Sequence, residues 1–189
     1  MPSEGGEREG SKRRKKPRLD DAPTIREYEN LIKWLRREAM KKPTIDNVLP
    51  LVVALTGCRI SECLELTTTD IDSDNGVLHI KTLKGGKGAK RVVPVPTWLF
   101  AILERYILYN GVGYKLFPIS RTHAWRIIKQ KTGKRPHALR HAYGMYMLFK
   151  GLDIETARRL MGHSSWDMVK HYVSTVGIDV KLRNPFEDL

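Results

Sequence analysis

The sequence has few cysteines and no long apolar run. Cys58 and Cys63 are its only cysteines, five residues apart on a segment with a helical pattern. Two such residues define neither a disulfide framework nor a zinc site. No apolar stretch approaches the roughly 20 residues of a membrane-spanning helix, and the N-terminus carries no apolar signal region. We therefore expect two buried thiols, no membrane span, and a protein that stays in the compartment where it is made.

Acidic residues are also scarce relative to basic ones. The chain carries 34 Lys and Arg against 21 Asp and Glu, a formal net charge of +13. Residues 1–22 contribute only +2 of that charge, which leaves +11 on the rest of the chain. A basic folded part favours a polyanionic partner such as DNA. The charge alone fits equally well a device for solubility or a surface that coats RNA.

Residues 1–22 consist largely of charged residues, Gly and Pro, with almost nothing apolar. This composition predicts a disordered basic arm. The basic run that begins with Lys12, Arg13 and Arg14 suits contacts with DNA phosphates and resembles a short nuclear localisation signal. The ordered domain is expected to span residues 23–174.

The apolar periodicity of that domain predicts a mainly α fold with a small antiparallel β-sheet, an α+β class. Thr24 and Glu27 form a capping-box pattern at the start of the first helix. Alternation over Val77–Thr82 and 91–95, around a Gly-rich loop, predicts a hairpin. Further helices are expected at about 45–55, 59–66, 97–110, 120–131, 137–150, 153–161 and 165–173, with Asp153 and Ser165 as N-caps and Gly151 and Gly162 at helix ends.

Two segments carry arginines in patterns suited to phosphate. TGCRISE (56–62) places Arg59 and Glu62 one turn apart, a spacing that also fits an exposed ion pair. HALRH (137–141) places His137, Arg140 and His141 together. A guanidinium flanked by imidazoles suits bidentate binding of phosphate oxygens. The histidine pair predicts no metal site, because the Glu of a zincin motif and a third ligand cluster are both missing.

Two other segments indicate a function only weakly when each is taken alone. In 160–173, Gly162 ends a helix, His163 lies in the turn and Tyr172 follows two turns into the next helix. Tyr172 alone would equally fit a core aromatic. The Gly-rich loop carries Lys84, Lys87 and Lys90, a pattern that also fits a solvated hairpin.

Together these four segments resemble the tyrosine recombinase, or phage integrase, family. That family's pattern is an Arg in a TGxRxSE-like motif, a Lys in a β-hairpin, HxxR, and GHxS with a Tyr nine residues after its His. The matching residues here are Arg59, Lys84, His137, Arg140, His163 and Tyr172. The resemblance covers roughly residues 24 to 180. Typical members carry a helical core-binding domain before the catalytic domain, so this chain is expected to be a fragment or a minimal form.

The resemblance implies a role for each residue, and it implies no metal and no cofactor. Arg59 and Arg140 neutralise the phosphate, with His163 as a third donor. Tyr172 is the nucleophile, His137 assists it, and Lys84 is the general acid. Glu62 orients His137 or Arg59, and His141 makes a structural hydrogen bond. Lys87, Lys90 and Arg91 are expected to contact DNA.

The function expected from the resemblance is site-specific recombination or integration of double-stranded DNA through a 3′-phosphotyrosine. Such a protein would work as a homo-oligomer on DNA, with tail 175–189 docked on a neighbouring protomer. It would act at the nucleoid in the cytoplasm, or in the nucleus of a eukaryotic host. Alternatives are nicking and closing like a type IB topoisomerase, or a DNA-binding regulator with a dead site. A third alternative is a basic RNA-binding protein, but the sequence has no RNP-like aromatic motif to support it.

Overall fold

The computed structural model describes residues 22–82 and 90–162, together with Phe186 and Leu189. Several predicted features lie outside the described residues. These are the arm with Lys12, Arg13 and Arg14, the loop with Lys84 and Lys87, and the helix expected at 165–173 with Ser165 and Tyr172.

The described part is mainly helical, with one small antiparallel sheet, so the predicted fold class is confirmed. Its seven helices are α1 (Ile25–Lys41), α2 (Ile45–Thr56), α3 (Ile60–Cys63), α4 (Thr97–Asn110), α5 (Arg121–Thr132), α6 (Pro136–Phe149) and α7 (Ile154–Met161). Its strands are β1 (Ile71–Asp72), β2 (Val77–Lys81) and β3 (Lys90–Pro94), preceded by a 3₁₀ turn at Thr68–Asp70.

Helix α2 lies at the centre of the fold. Every residue from Asn47 to Thr56 is buried, as expected for a helix that is apolar on all sides. Helices α1, α5 and α6 pack around it. The Tyr28 hydroxyl of α1 donates a hydrogen bond to the Ala54 carbonyl of α2, which anchors the first helix to the central one.

Helix ends agree well with the capping signals. Thr24 and Glu27 form the predicted capping box, and the Asp153 side chain accepts from the Thr156 amide. Gly162 ends α7 in the left-handed conformation with φ of 62°. Helix α3 is shorter than predicted, because the bonds that follow Cys63 tighten to i, i+3, as in Leu66 N–H to Cys63 O.

The three strands are antiparallel in the order β1, β2, β3. Val77 pairs with Pro94, and Lys81 pairs with Lys90, which places the Gly-rich loop at the far end of the hairpin. Strand β3 also packs against α7. The sheet therefore brings the residues after the loop next to the end of α7.

Phe186 is the one tail residue whose surroundings are described in detail. It is fully buried and stacks on Tyr146, with ring centroids 4.9 Å apart, and on Tyr143, at 6.0 Å. The indole nitrogen of Trp98 donates to the Phe186 carbonyl at 3.4 Å. This residue thus packs on the core of its own chain.

Among the helices that the structure describes, none is both long enough and apolar enough to cross a membrane.

Candidate active site

Three arginines from different elements surround Glu62 of α3, whose side chain is fully buried. Its Oε1 lies 2.8 Å from Arg59 Nη1, and its Oε2 lies 2.8 Å from Arg91 Nη2. Oε2 also accepts from the Arg59 backbone amide at 3.0 Å, and Arg140 Nη1 is 4.0 Å away. One carboxylate therefore organises guanidiniums from the start of α3, from β3 and from α6.

The end of α7 is held by the same three arginines. The last carbonyls of a helix have no partner within the helix, and the helix dipole makes that end attractive to cations. Three consecutive carbonyls each accept from one arginine: Leu160 from Arg91 Nε at 2.8 Å, Met161 from Arg140 Nη2, and Gly162 from Arg59 Nη1 at 3.4 Å. The chain is therefore fixed just before His163.

Arg140 is buried and spans two segments. Its Nη1 donates to the Gly57 carbonyl at 2.6 Å, opposite its contact with α7. Burial lowers the pKa of Arg140 to about 10, and the nearby Arg59 contributes to that shift, while Glu62 opposes it. The guanidinium therefore keeps its charge at neutral pH.

Gly57 allows this close packing. It ends α2 with φ of 58°, and a Cβ added there would overlap the Tyr143 ring of α6. A glycine is thus required both by the backbone conformation and by the approach of α6. Gly57 of the TGCRISE segment therefore acts structurally, by allowing α6 with Arg140 to lie close to the segment that carries Arg59.

The cluster carries an excess of two positive charges, because three guanidiniums surround a single carboxylate. Burial alone would raise the pKa of Glu62, but hydrogen bonds from Arg91 and Arg59 outweigh it and lower the pKa below its ordinary value. Arg59 is the most exposed of the three arginines, with 29% of its side chain accessible. The arrangement suits an anion that approaches from the Arg59 side.

His137 and His141 lie edge to face on α6, with ring centroids 4.5 Å apart. Burial lowers the pKa of His137, and the charges of Arg140, Arg135 and Arg59 lower it further. Burial lowers the pKa of His141 to about 4, with His137 and Arg140 adding to the effect. Both rings are neutral at pH 7. The ring of His137 is only partly desolvated and the residue is exposed, so it can accept a proton.

Several predicted site residues are brought together, and two are placed differently from the expectation. Glu62 pairs with Arg59, and no hydrogen bond joins it to His137. Lys90, which we predicted to contact DNA, is 44% exposed and forms an ion pair with the buried Asp70 at 2.7 Å. Arg91, which we predicted to contact DNA, is only 9% exposed and points inward to Glu62, because it lies on the inner face of β3. His163, Tyr172, Lys84 and Lys87 lie outside the described residues, so their roles stay predictions.

The structural part that Arg91 plays in the cluster was not predicted from the sequence. One signal was available, since Arg91, Val93 and Val95 alternate along the strand predicted at 91–95, where valines on the same face as Arg91 indicate a buried side. A charged residue on the inward face of a strand needs a buried partner. Within the described residues, no three His, Cys, Asp or Glu side chains come together in a group that could hold a metal ion.

Comparison with known proteins identifies the family. The model of the phage integrase family matches residues 24–176 of this chain. The chain therefore belongs to the phage integrase family, that of the tyrosine recombinases.

Curated relatives carry the name tyrosine recombinase. The XerA protein of Thermococcus kodakarensis is 34% identical over 167 residues, which cover 76% of this chain and 58% of that protein. The XerD protein of Corynebacterium glutamicum is 32% identical over 170 residues, covering 78% of this chain and 54% of that protein. The chain thus spans less than two thirds of the length of these relatives.

Solved structures agree on the fold. A crystal structure of XerA recombinase superposes with a TM-score of 0.64 at 24% identity, covering 80% of this chain and 59% of that one. XerH recombinase bound to palindromic difH substrate gives a TM-score of 0.66 at 19% identity, and the match covers 82% of this chain and 50% of that one. A lambda integrase dimer bound to a COC′ core site gives a TM-score of 0.58 at 17% identity, and the match covers 85% of this chain and 62% of that one.

Proposed function

We propose that this chain is the catalytic part of a site-specific DNA recombinase or integrase. The observation that carries the proposal is the cluster of Arg59, Arg91 and Arg140 around the buried Glu62. It offers fixed positive charge to an anion without relying on a metal ion. Family membership supplies the chemistry expected at such a cluster.

In the proposed reaction the Tyr172 oxygen forms a bond to the scissile phosphorus, and the bond from phosphorus to the 5′ oxygen breaks. The product is a 3′-phosphotyrosine and a free 5′-hydroxyl. Attack by a 5′-hydroxyl on the phosphotyrosine reverses the exchange, so no ATP is needed to reseal the strand. Arg59 and Arg140 stabilise the charge that develops on the non-bridging oxygens, the exposed Arg59 by direct contact and the buried Arg140 through its charge, with His163 as a further donor.

Two proton transfers accompany the exchange. The phenol of a tyrosine has a reference pKa of about 10, so the attacking Tyr172 must lose its proton during the step. The lowered pKa of His137, caused first by burial and then by Arg140, leaves a neutral imidazole that can take part in that transfer. Lys84 supplies a proton to the departing 5′ oxygen.

The partners proposed are double-stranded DNA and further copies of the chain assembled on it. The solved XerH and lambda integrase structures are described as bound to a difH substrate and, as a dimer, to a core site. The net charge of +11 outside residues 1–22 supports DNA as the partner. The site of action would be the nucleoid in the cytoplasm, or the nucleus in a eukaryotic host.

Two assays run side by side test the proposal against nicking and closing of the topoisomerase type. One measures exchange between two copies of a target site, and the other measures relaxation of a supercoiled plasmid without a target site. A recombinase is expected to need the paired sites and to give exchange products. Relaxation of any plasmid with no exchange at any candidate site would favour the topoisomerase-like function.

A further inference from the structure

Arg91 makes contacts that the sheet does not require. The hydrogen bonds between β2 and β3 are made by the backbone, yet the Arg91 side chain turns inward and is only 9% exposed. Its Nε donates to the Leu160 carbonyl, and its Nη2 donates to Glu62, each at 2.8 Å. Its buried Nη1 has no hydrogen-bond partner in the part of the chain that the structure describes. This geometry suggests that the buried guanidinium holds Glu62 and the Leu160 carbonyl in place.

The first group is Glu62, and through it Arg59. Arg91 Nη2 and the Arg59 amide share Oε2 of Glu62, while Oε1 holds the Arg59 guanidinium. Because the carboxylate is fully buried, water cannot replace Arg91 at Oε2. Without Arg91, Glu62 is free to rotate toward Arg140, which already lies 4.0 Å from Oε2. That rotation would release Arg59.

The second group is the end of α7. Arg91 Nε holds the Leu160 carbonyl, and a Cβ added at Gly162 would lie 3.1 Å from Arg91 Nη1. The guanidinium thus packs against the backbone that leads directly to His163. A cation at this position also opposes the negative end of the helix dipole. Arg91 therefore ties α7 to the carboxylate that organises the arginines.

We propose that Arg91 is a positioning residue for strand cleavage, which sets the Arg59 guanidinium through Glu62 and fixes the end of α7 without touching DNA. The proposal rests on the proposed function, because it assigns Arg91 a part in the same reaction.

A change in the substrate separates positioning from a general loss of structure. Replacing one non-bridging oxygen of the scissile phosphate by a methyl group gives a methylphosphonate, which is neutral. The demand for guanidinium charge at the phosphate is then smaller. A variant that misplaces Arg59 should be impaired on the normal phosphodiester and much less impaired on the methylphosphonate. A variant that is merely less folded should lose the same factor on both substrates.

The measurement is the single-turnover rate of release of the 5′-hydroxyl fragment, with the full chain at saturating DNA, on each substrate. Loss of one fixed donor that contacts developing charge lowers the rate by ~10²–10³. Loss of a residue that only positions such a donor should lower the rate less, by about tenfold. Arg91→Met is expected to cleave the phosphodiester at least about tenfold more slowly than wild type, and the methylphosphonate within about threefold of wild type. Its Kd for DNA should change by less than about threefold.

Two further variants serve as controls. Arg59→Ala serves as the positive control, and its defect should also shrink on the methylphosphonate. Arg158→Met serves as the matched negative control, because it removes a guanidinium bound to Glu155 on α7 at 2.7 Å, away from Glu62. We expect it to match wild type on both substrates.

Equal defects of Arg91→Met on both substrates, or no defect on either, would overturn the proposal. If Arg91→Met fails to fold by circular dichroism, Arg91→Lys decides. It keeps a cation beside Glu62, but an ammonium lacks the planar fork that reaches both Glu62 and Leu160. It should show a smaller defect with the same dependence on the substrate. If wild-type protein cleaves neither substrate, the proposed function fails, which is a distinct result.

Discussion

Glu62 is the residue on which the arginine cluster depends. It binds Arg59 and Arg91 at 2.8 Å each and lies within 4.0 Å of Arg140, with no access to water. Removing one partner of a buried ion pair leaves the other charges uncompensated and costs about 3–5 kcal/mol. We predict a loss of that size in the free energy of unfolding of Glu62→Gln, measured by urea denaturation.

The matched control for that measurement is Glu65→Gln, three residues along the chain. Glu65 pairs with Lys115 at 3.0 Å, and both side chains are more than 40% exposed. Exposed pairs contribute about 0–1 kcal/mol, so this variant should stay close to wild type. Equal losses in the two variants would contradict the central position that the structure gives Glu62.

His141 makes stability depend on pH in a defined direction. Burial lowers its pKa from 6.5 to about 4 in the folded protein. The folded state therefore favours the neutral ring, whereas the unfolded chain takes up a proton at about pH 6.5. The free energy of unfolding is at its full value above pH 6.5 and decreases as the pH falls from 6.5 to 4. We predict that His141→Gln loses less stability than wild type across this interval, followed by thermal unfolding at a series of pH values.

The exposed His123 provides the comparison. His123→Gln should follow the wild-type curve throughout. Parallel curves for wild type and His141→Gln would mean that the His141 ring is solvated rather than partly buried.

Helix positions were largely predictable because their signals are local. The capping box at Thr24, the N-cap at Asp153 and the glycine at 162 each satisfy backbone groups within a few residues, so sequence alone indicates them. The end of α3 was not predictable in this way. The backbone hydrogen bonds at that end change to the i, i+3 type, as in Glu65 N–H to Glu62 O.

The hairpin illustrates a second limit of sequence reasoning. Alternation predicted β2 and β3 correctly, yet Arg91 was predicted to contact DNA. Strand register decides which face each side chain takes, and pairing of Ile80 with Arg91 puts that arginine on the inner face. The chemistry of a residue type did not reveal its direction.

The same hairpin carries the general acid in our account, and Lys84 is the residue to which the family resemblance assigns it. We predict that Lys84→Ala is severely impaired on ordinary DNA but largely restored when the scissile 5′ oxygen is replaced by sulfur. A thiolate departs without a proton, so the acid is no longer needed. Single-turnover cleavage of both substrates measures the effect.

Lys87→Ala and Lys90→Ala are the comparisons on that hairpin. Lys90 is held by Asp70 at 2.7 Å in the described structure, which makes it a poor proton donor to DNA. Neither variant should show selective restoration by sulfur. Restoration that follows Lys87 instead would move the acid by three residues and leave the arginine cluster unchanged.

The last residues of the chain include Phe186, which is buried in the core. Phe186 fills a site between Tyr28, Tyr143 and Tyr146 of its own chain, and the docking of tail 175–189 on a neighbouring protomer stays a prediction. Truncating a buried Phe to Ala typically costs about 3–5 kcal/mol. We predict a loss of that size for Phe186→Ala, with an unfolding midpoint that does not depend on protein concentration.

Phe149→Ala controls for the loss of an aromatic ring, because that residue is 50% exposed. It should leave stability nearly unchanged. A wild-type midpoint that rises with protein concentration, with the rise abolished by Phe186→Ala, would instead indicate that the tail docks on a second copy.

For the molecule as a whole, the order and spacing of the motifs were sufficient to predict the family and the fold. They also predicted that Arg59 and Arg140 belong to one site, although 80 residues separate them in the chain. They did not predict how the site is held together. The sharing of one carboxylate and of three consecutive carbonyls by three arginines is a property of packing, and no local pattern encodes it.

The central claim is that Tyr172 forms a covalent bond to DNA within reach of this cluster. The most direct measurement traps the adduct on a nicked suicide substrate, digests the protein and identifies the modified residue by mass spectrometry. The account predicts an adduct on Tyr172 alone, which forms in chelator and is absent from Tyr172→Phe although that variant still binds DNA. An adduct on another residue, or an undiminished yield in Tyr172→Phe, would contradict it.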